Sequence, residues 1–194
     1  VTVPVPDIDT FPDLTGECSV TATAPTATDA CAGTITATTS DPITYSSEGT
    51  YTITWTYDDG NGNTANQTQN VIIDDVTDPV TDVADLPDLI GECSITAAAP
   101  TATDACTGTL TATTTDPVTY NAQGTYTINW LYDDGNGNTA TQTQNVIIAD
   151  VTDPTIVPPT DITVNNDPGN CSASGVVTGQ PEVSDNCEVA DVTN

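Results

Sequence analysis

Acidic residues, amides and cysteines are the side chains here whose spacing could do chemistry. The nonapeptide YDDGNGNTA occurs at 57–65 and again, letter for letter, at 132–140. Asp59, Asn61 and Asn63 have the D-x-N-x-N spacing that opens an EF-hand calcium loop. Position six, however, is Thr64 where such a loop needs Gly, and position twelve is Asn70 where it needs a bidentate Glu. The same letters also read as a hairpin turn, because Asn-Gly and Asp-Gly accept positive φ at little cost. A second acidic set lies in DDVTDP at 74–79 and ADVTDP at 149–154, and six cysteines complete the inventory: Cys18, Cys31, Cys93, Cys106, Cys171 and Cys187.

Composition removes most other chemistry. The chain has no Lys, Arg or His against 28 Asp plus Glu, a formal charge of −28. Without cationic side chains it cannot neutralise phosphates, so nucleic acid is excluded as a partner, and an anionic membrane surface repels it. No stretch approaches the ~20 apolar residues of a membrane span. A Ser or Cys nucleophile would lack its usual His or Lys base. Paired carboxylates of the glycosidase kind need a cleft in a sizeable domain. The expectation is a protein that is not an enzyme and holds no organic cofactor. Since no side-chain salt bridge can form, each carboxylate must be solvated, capped by N–H groups or met by an external cation. Ca²⁺, which prefers oxygen ligands, is the natural candidate.

The elements that position these residues follow from a repeat. Residues 1–75 and 76–150 align without a gap at 55 identical positions of 75, and a third, divergent unit starts at Val151 and keeps a cysteine pair. The modules are therefore 1–75, 76–150 and an incomplete 151–194, as expected of a piece of something longer. Gly49–Asp58 alternates strictly, with Tyr51, Ile53, Trp55 and Tyr57 on one face and threonines on the other, which is the period of a strand. Thr64–Ile73 reads as its return strand, and Ser19–Ala24 and Thr34–Thr39 as two more. Pro4, Pro6 and Pro12 suit an irregular edge. The fold class is all-β: small immunoglobulin-like β-sandwich modules in tandem, forming a rod. The expected core of the first is Val5, Ile8, Leu14, Val20, Ile35, Ile43, Tyr51, Ile53, Trp55, Val71 and Ile73.

In such a sandwich the TDAC and DDGNGN loops share one end, which also receives the chain from the preceding module. Asp75, Asp78, Asp104 and Asp134 are thus expected to converge at the first junction, and Asp150, Asp153 and Asp185 at the second, with Asp59 as the first module's counterpart of Asp134. Either these are solvated turn residues or they hold Ca²⁺. Two cysteines per module point to pairing within each: Cys18–Cys31, Cys93–Cys106 and Cys171–Cys187. That implies an oxidising compartment. Threonine rows on the sheet faces read as solubilising strand residues, or as a glycan- or ice-binding surface. Asn66 and Asn170 begin N-glycosylation patterns.

The combination GECS, TDAC, GTYTI-x-W, DDGNGNTA and VTDP resembles hyalin-repeat (HYR) and related immunoglobulin-like modules, found in tandem in giant surface proteins of Bacteroidetes-type bacteria. The hairpin pattern D-x-x-G-N-x-A falls on Asp59, Gly62, Asn63 and Ala65, and on Asp134, Gly137, Asn138 and Ala140. The D-N-C element falls on Asp185–Cys187, where the first two modules have Ala30 and Ala105 for the Asn. Gln67 and Gln69 stand where the resemblance implies apolar residues. It further implies an extracellular or cell-surface protein, often exported by type IX secretion, serving adhesion or scaffolding. The expected function is a stalk or spacer of an adhesin or surface filament. The alternatives are a filament subunit completed by strands from other copies, and a surface or glycan binder. Expected partners are neighbouring modules of the same chain, other copies in a filament, and an unidentified surface or glycan ligand.

Overall fold

The computed structural model describes residues 2–189; Val1 and 190–194, the end of the expected third module, lie outside the described residues. All regular structure in them is β. The first repeat forms β1 (Val5–Pro6), β2 (Leu14–Gly16), β3 (Val20–Thr21), β4 (Thr26–Asp29), β5 (Gly33–Thr36), β6 (Thr44–Tyr45), β7 (Gly49–Asp58) and β8 (Thr64–Ile73). The second gives β9 (Val80–Thr81), β10 (Leu89–Gly91), β11 (Ile95–Thr96), β12 (Thr101–Asp104), β13 (Gly108–Thr111), β14 (Thr119–Tyr120), β15 (Gly124–Asp133) and β16 (Thr139–Ile148). The third segment adds β17 (Thr155–Val157) and β18 (Glu182–Ser184), paired antiparallel.

The first repeat is a sandwich of two main sheets, ordered β1-β4-β5 and β2-β8-β7, with a small β3-β6 ribbon. Its entering segment divides between them. β1 pairs antiparallel with β4, whereas β2 runs parallel to β8, with Leu14 opposite Val71 and Gly16 opposite Ile73. Pro12 lies between the two short strands, where no ladder donor is needed. A chain that switches sheets in this way is an immunoglobulin-type edge. The second repeat repeats the orders, β13-β12-β9 and β10-β16-β15.

The β7–β8 hairpin runs in unbroken register from Gly49 opposite Ile73 to Asp58 opposite Thr64. Strict alternation puts Ile53, Trp55 and Tyr57 inside with Val71 and Ile73, while the threonines of β7 face outward. The inward glutamines of β8 have a polar task. Gln69 Oε1 accepts from the Trp55 indole N–H at 3.2 Å, and Gln67 Oε1 accepts from the Tyr57 hydroxyl at 2.8 Å. Gln67 Nε2 donates to the Ile8 carbonyl at 2.6 Å. In the second repeat Gln144 does the same for Trp130 at 3.2 Å. Aromatic rings with a polar tip need a partner when buried, and this explains amides where apolar residues were expected.

The core differs from the expected set. Val5, Ile8 and Ile43 are exposed, while Ala22, Ala27, Ala37, Tyr45 and Tyr57 are buried. Large rings fill the interior, so small residues occupy neighbouring inward positions; the expected set favoured large aliphatics for their hydrophobicity. Leu14, Val20, Ile35 and Tyr51 pack on its margin.

Compactness divides the chain into two units, and the division does not follow the sequence period. One comprises Val1–Ala84, Ala99–Thr113 and Leu131–Thr141; the other Asp85–Ala98, Thr114–Trp130 and Gln142–Asn194. The first unit therefore holds the whole first repeat, the linker that leaves it, the β12–β13 hairpin and the second DDGNGN turn.

Candidate metal centre

The DDGNGN turns are built by their aspartates. Asp134 Oδ1 accepts from the N–H groups of Asn136, Gly137 and Asn138 at 2.8, 3.1 and 3.1 Å, and Oδ2 accepts from Asn138 Nδ2 at 2.8 Å. Asp59 is held likewise by Asn61 and Asn63. Gly60, Gly62, Gly135 and Gly137 take the positive φ these turns require. Burial pushes the Asp134 carboxyl up, but the Asn138 side chain and the three N–H groups outweigh it and leave it below the usual value. Asp59 is lowered chiefly by the Asn63 side chain. Both carboxylates are held by hydrogen bonds within their own turns, and neither belongs to the acidic clusters at the junctions.

At the first junction that positioning is direct. Asn138 Nδ2 donates to the Asp75 carbonyl at 2.9 Å and Asn136 Nδ2 to Asp75 Oδ2 at 3.2 Å. The Asp75 N–H donates to Glu48 Oε1 at 3.1 Å, and Asp75 Oδ1 accepts from the Thr77 N–H at 3.2 Å. Asp104 Oδ1 caps the β12–β13 turn by accepting from the N–H groups of Cys106 and Thr107, both at 2.8 Å. Asp104 Oδ2 is buried and has no hydrogen-bond partner. An oxygen of Asp75, an oxygen of Asp104 and Cys106 Sγ lie within 4.8 Å of one another, and both aspartates are buried, at 4% and 3% exposure. Beside them a cavity of about 280 Å³ is lined by Glu17, Glu48, Asp75, Thr107 and Asn136 among others. Asp78 is exposed and stands outside this cluster.

The second junction is more open. Asp150 and Asp185 meet beside Cys187, but Asp150 is exposed and Asp185 half-buried, and Asp153 is exposed outside the cluster. Gln123 replaces Glu48 as the acceptor of the linker N–H, at 2.9 Å.

The cysteine pairing corrects the expectation. The disulfides are Cys18–Cys106 and Cys93–Cys187, while Cys31 and Cys171 are exposed free thiols. The strands give the reason. Cys18 follows β2, which ends level with Ile73, where the chain leaves the repeat. Cys31 lies at the β4–β5 turn, beside the entering Thr2. The ten-residue strands between these ends span about 33 Å, far beyond disulfide reach. Each bridge therefore joins the exit end of one repeat to the entry end of the next. Because Cys106 and Cys187 are oxidised, they are not thiolate ligands, and the donors at the first junction are oxygens alone.

Sequence reasoning overlooked Glu17, Glu48, Thr77 and Asn136, and singled out Asn138 only as part of the turn pattern. For Glu17 and Thr77 the available signal is recurrence: they reappear 75 residues on as Glu92 and Thr152, with the same bond at 2.9 Å.

Comparison with known proteins places the first repeat. Residues 13–73 match the family model of the HYR-like domain with 4 cysteines. That span contains two of this chain's cysteines, Cys18 and Cys31. The first repeat is HYR-like, as the resemblance implied. No curated protein matches the chain. Among solved structures it is similar to extracellular cadherin domains 1–4 of protocadherin gamma B7, with 13% identity over 93% of this chain and 59% of that one, at a TM-score of 0.32. For the protocadherin gammaB4 extracellular domain the figures are 18%, 93%, 37% and 0.36. The chain thus spans little more than half of the first of these and about a third of the second.

Proposed function

We propose that the chain is a non-catalytic stalk segment of a larger extracellular surface protein, its modules at 1–75, 76–150 and 151–194 stacking as a rod whose partners are the neighbouring modules. The observation that carries this reading is the Cys18–Cys106 bridge, a covalent link from one repeat to the next at the point where the linker also lies. A sequence separation of 88 makes such a bridge worth about 4–5 kcal/mol on a chain-entropy estimate. It also requires an oxidising compartment. In this reading Ca²⁺ serves as counter-ion at the junctions, Asp75 with Asp104 and Asp150 with Asp185, in a chain without a single basic side chain. The donors are the hard oxygens that Ca²⁺ takes.

Small-angle scattering with electron microscopy tests the stalk. A monomeric particle of fixed length when oxidised, and a broader length distribution after reduction, is the expected result. A compact particle would refute the stalk, and a regular polymer would favour the subunit completed by strand addition.

A further inference from the structure

The first two repeats carry the same aspartate in the same turn, yet its outer oxygen is treated differently. In the first repeat, Asp29 Oδ1 caps the N–H groups of Cys31 and Ala32, and Asp29 Oδ2 accepts from the Thr2 hydroxyl at 2.8 Å. In the second, Asp104 Oδ1 makes the equivalent caps. Thr77 is the counterpart of Thr2, but its hydroxyl donates instead to Glu17 Oε2 at 2.8 Å. Asp104 Oδ2 is thereby left buried without a partner, at 3% residue exposure, in a side chain of which one carboxylate oxygen lies within 4.8 Å of an oxygen of the buried Asp75. Asp29 is equally buried at 4%, so burial alone does not distinguish the two. A buried carboxylate oxygen lacking a donor is costly, and a second carboxylate beside it adds like-charge repulsion. No basic side chain exists to relieve either.

We propose that Glu17, by capturing the Thr77 hydroxyl, converts Asp104 from a capped turn residue into a ligand, which with Asp75 forms a Ca²⁺ site present only where one repeat meets the next. Glu17 is adjacent to Cys18, and Asp104 is two residues from Cys106, so the Cys18–Cys106 bridge holds captor and ligand together. Carboxylate oxygens and water complete a sphere suited to Ca²⁺. The first repeat has no such site, because Thr2 already satisfies Asp29. This inference rests on the reading of calcium at the junctions and specifies the first of them.

Calorimetric titration of the oxidised chain with CaCl₂ tests it. Asp104→Asn keeps the Oδ1 caps and so preserves the turn; it should abolish one binding site, whereas Asp29→Asn should leave the isotherm unchanged. Glu17→Gln should weaken that site about tenfold, the scale of a hydrogen bond to a charged group, as Thr77 returns to Asp104. With Thr77→Val also present, Glu17→Gln should have a much smaller effect, which separates capture of the hydroxyl from simple loss of a charge. Calcium binding that survives Asp104→Asn undiminished would overturn this site while leaving calcium at other junction groups. No calcium binding at all would remove both readings. An equal effect of Glu17→Gln with and without Thr77→Val would overturn the role of Thr77.

Discussion

A carboxylate in this chain has no cation of its own to lean on, so donors from amides, hydroxyls and backbone N–H groups do that work. Asp7 and Asp82 each accept two threonine hydroxyls, from Thr26 and Thr28 and from Thr101 and Thr103, and both are held below the usual carboxyl range by these bonds. The turn aspartates Asp59 and Asp134 are lowered by their asparagines. A carboxyl lowered by folding contributes stability that is fully present above its unfolded value, about 3.9. That stability is lost as the pH falls through the folded value. Asn63→Ala and Asn138→Ala should each bring their aspartate back up toward the ordinary value. Carboxyl NMR titration will detect the rise, and acid unfolding of both variants should begin at higher pH than in the parent chain. These roles were only half legible in the sequence. The letters YDDGNGNTA give the turn, but which asparagine holds which carboxylate depends on how the turn closes.

Among the elements, β7 and β8 were fully legible, because ten residues of strict alternation admit no other period and a turn signal fixes their register. The edge was not. β1 and β2 are two and three residues long, and short strands carry too little pattern to show that the chain changes sheets between them. β4 was overlooked because TATD reads as a loop, although Ala27 within it is fully buried. The glutamines of β8 mark where hydrophobicity alone misleads. Gln69→Leu should leave the buried Trp55 N–H without an acceptor and so destabilise the sandwich by about 1–3 kcal/mol, read as a lower denaturant midpoint with an unchanged m-value. If the leucine instead stabilised, packing would outweigh the lost bond at this position.

For the whole molecule, the cysteines decide more than any strand. Twelve residues lie between Cys18 and Cys31, and proximity in sequence pointed to a local bridge. The length of the sheet places them at opposite ends of the repeat, a fact no spacing rule contains. Thiol titration of the denatured, unreduced chain should find two free thiols, and peptide mapping should place them at Cys31 and Cys171. Cys18→Ser should lower the stability of the first unit by about 4 kcal/mol on the chain-entropy estimate, measured by thermal or denaturant unfolding. Asp75 and Asp104 were legible as residues that converge, because the repeat and the linker both point to that end. Their partition was not legible: Asp104 with an open oxygen, Asp134 closed upon its own turn, Asp78 left in solvent.

The spans enclosed by the two bridges, 18–106 and 93–187, overlap between residues 93 and 106. A single break of the backbone anywhere from Cys18 to Cys187 therefore severs the chain without releasing a piece, since at least one sulfur bridge always crosses the cut. Trypsin finds no Lys or Arg, and a glutamate-directed protease limited to a single cut, after Glu48 or after Glu92, should yield fragments that separate on a reducing gel and migrate together on a non-reducing one. The covalent overlap works like shingles on a roof: between Cys18 and Cys187 the chain keeps its tensile continuity through any one nick.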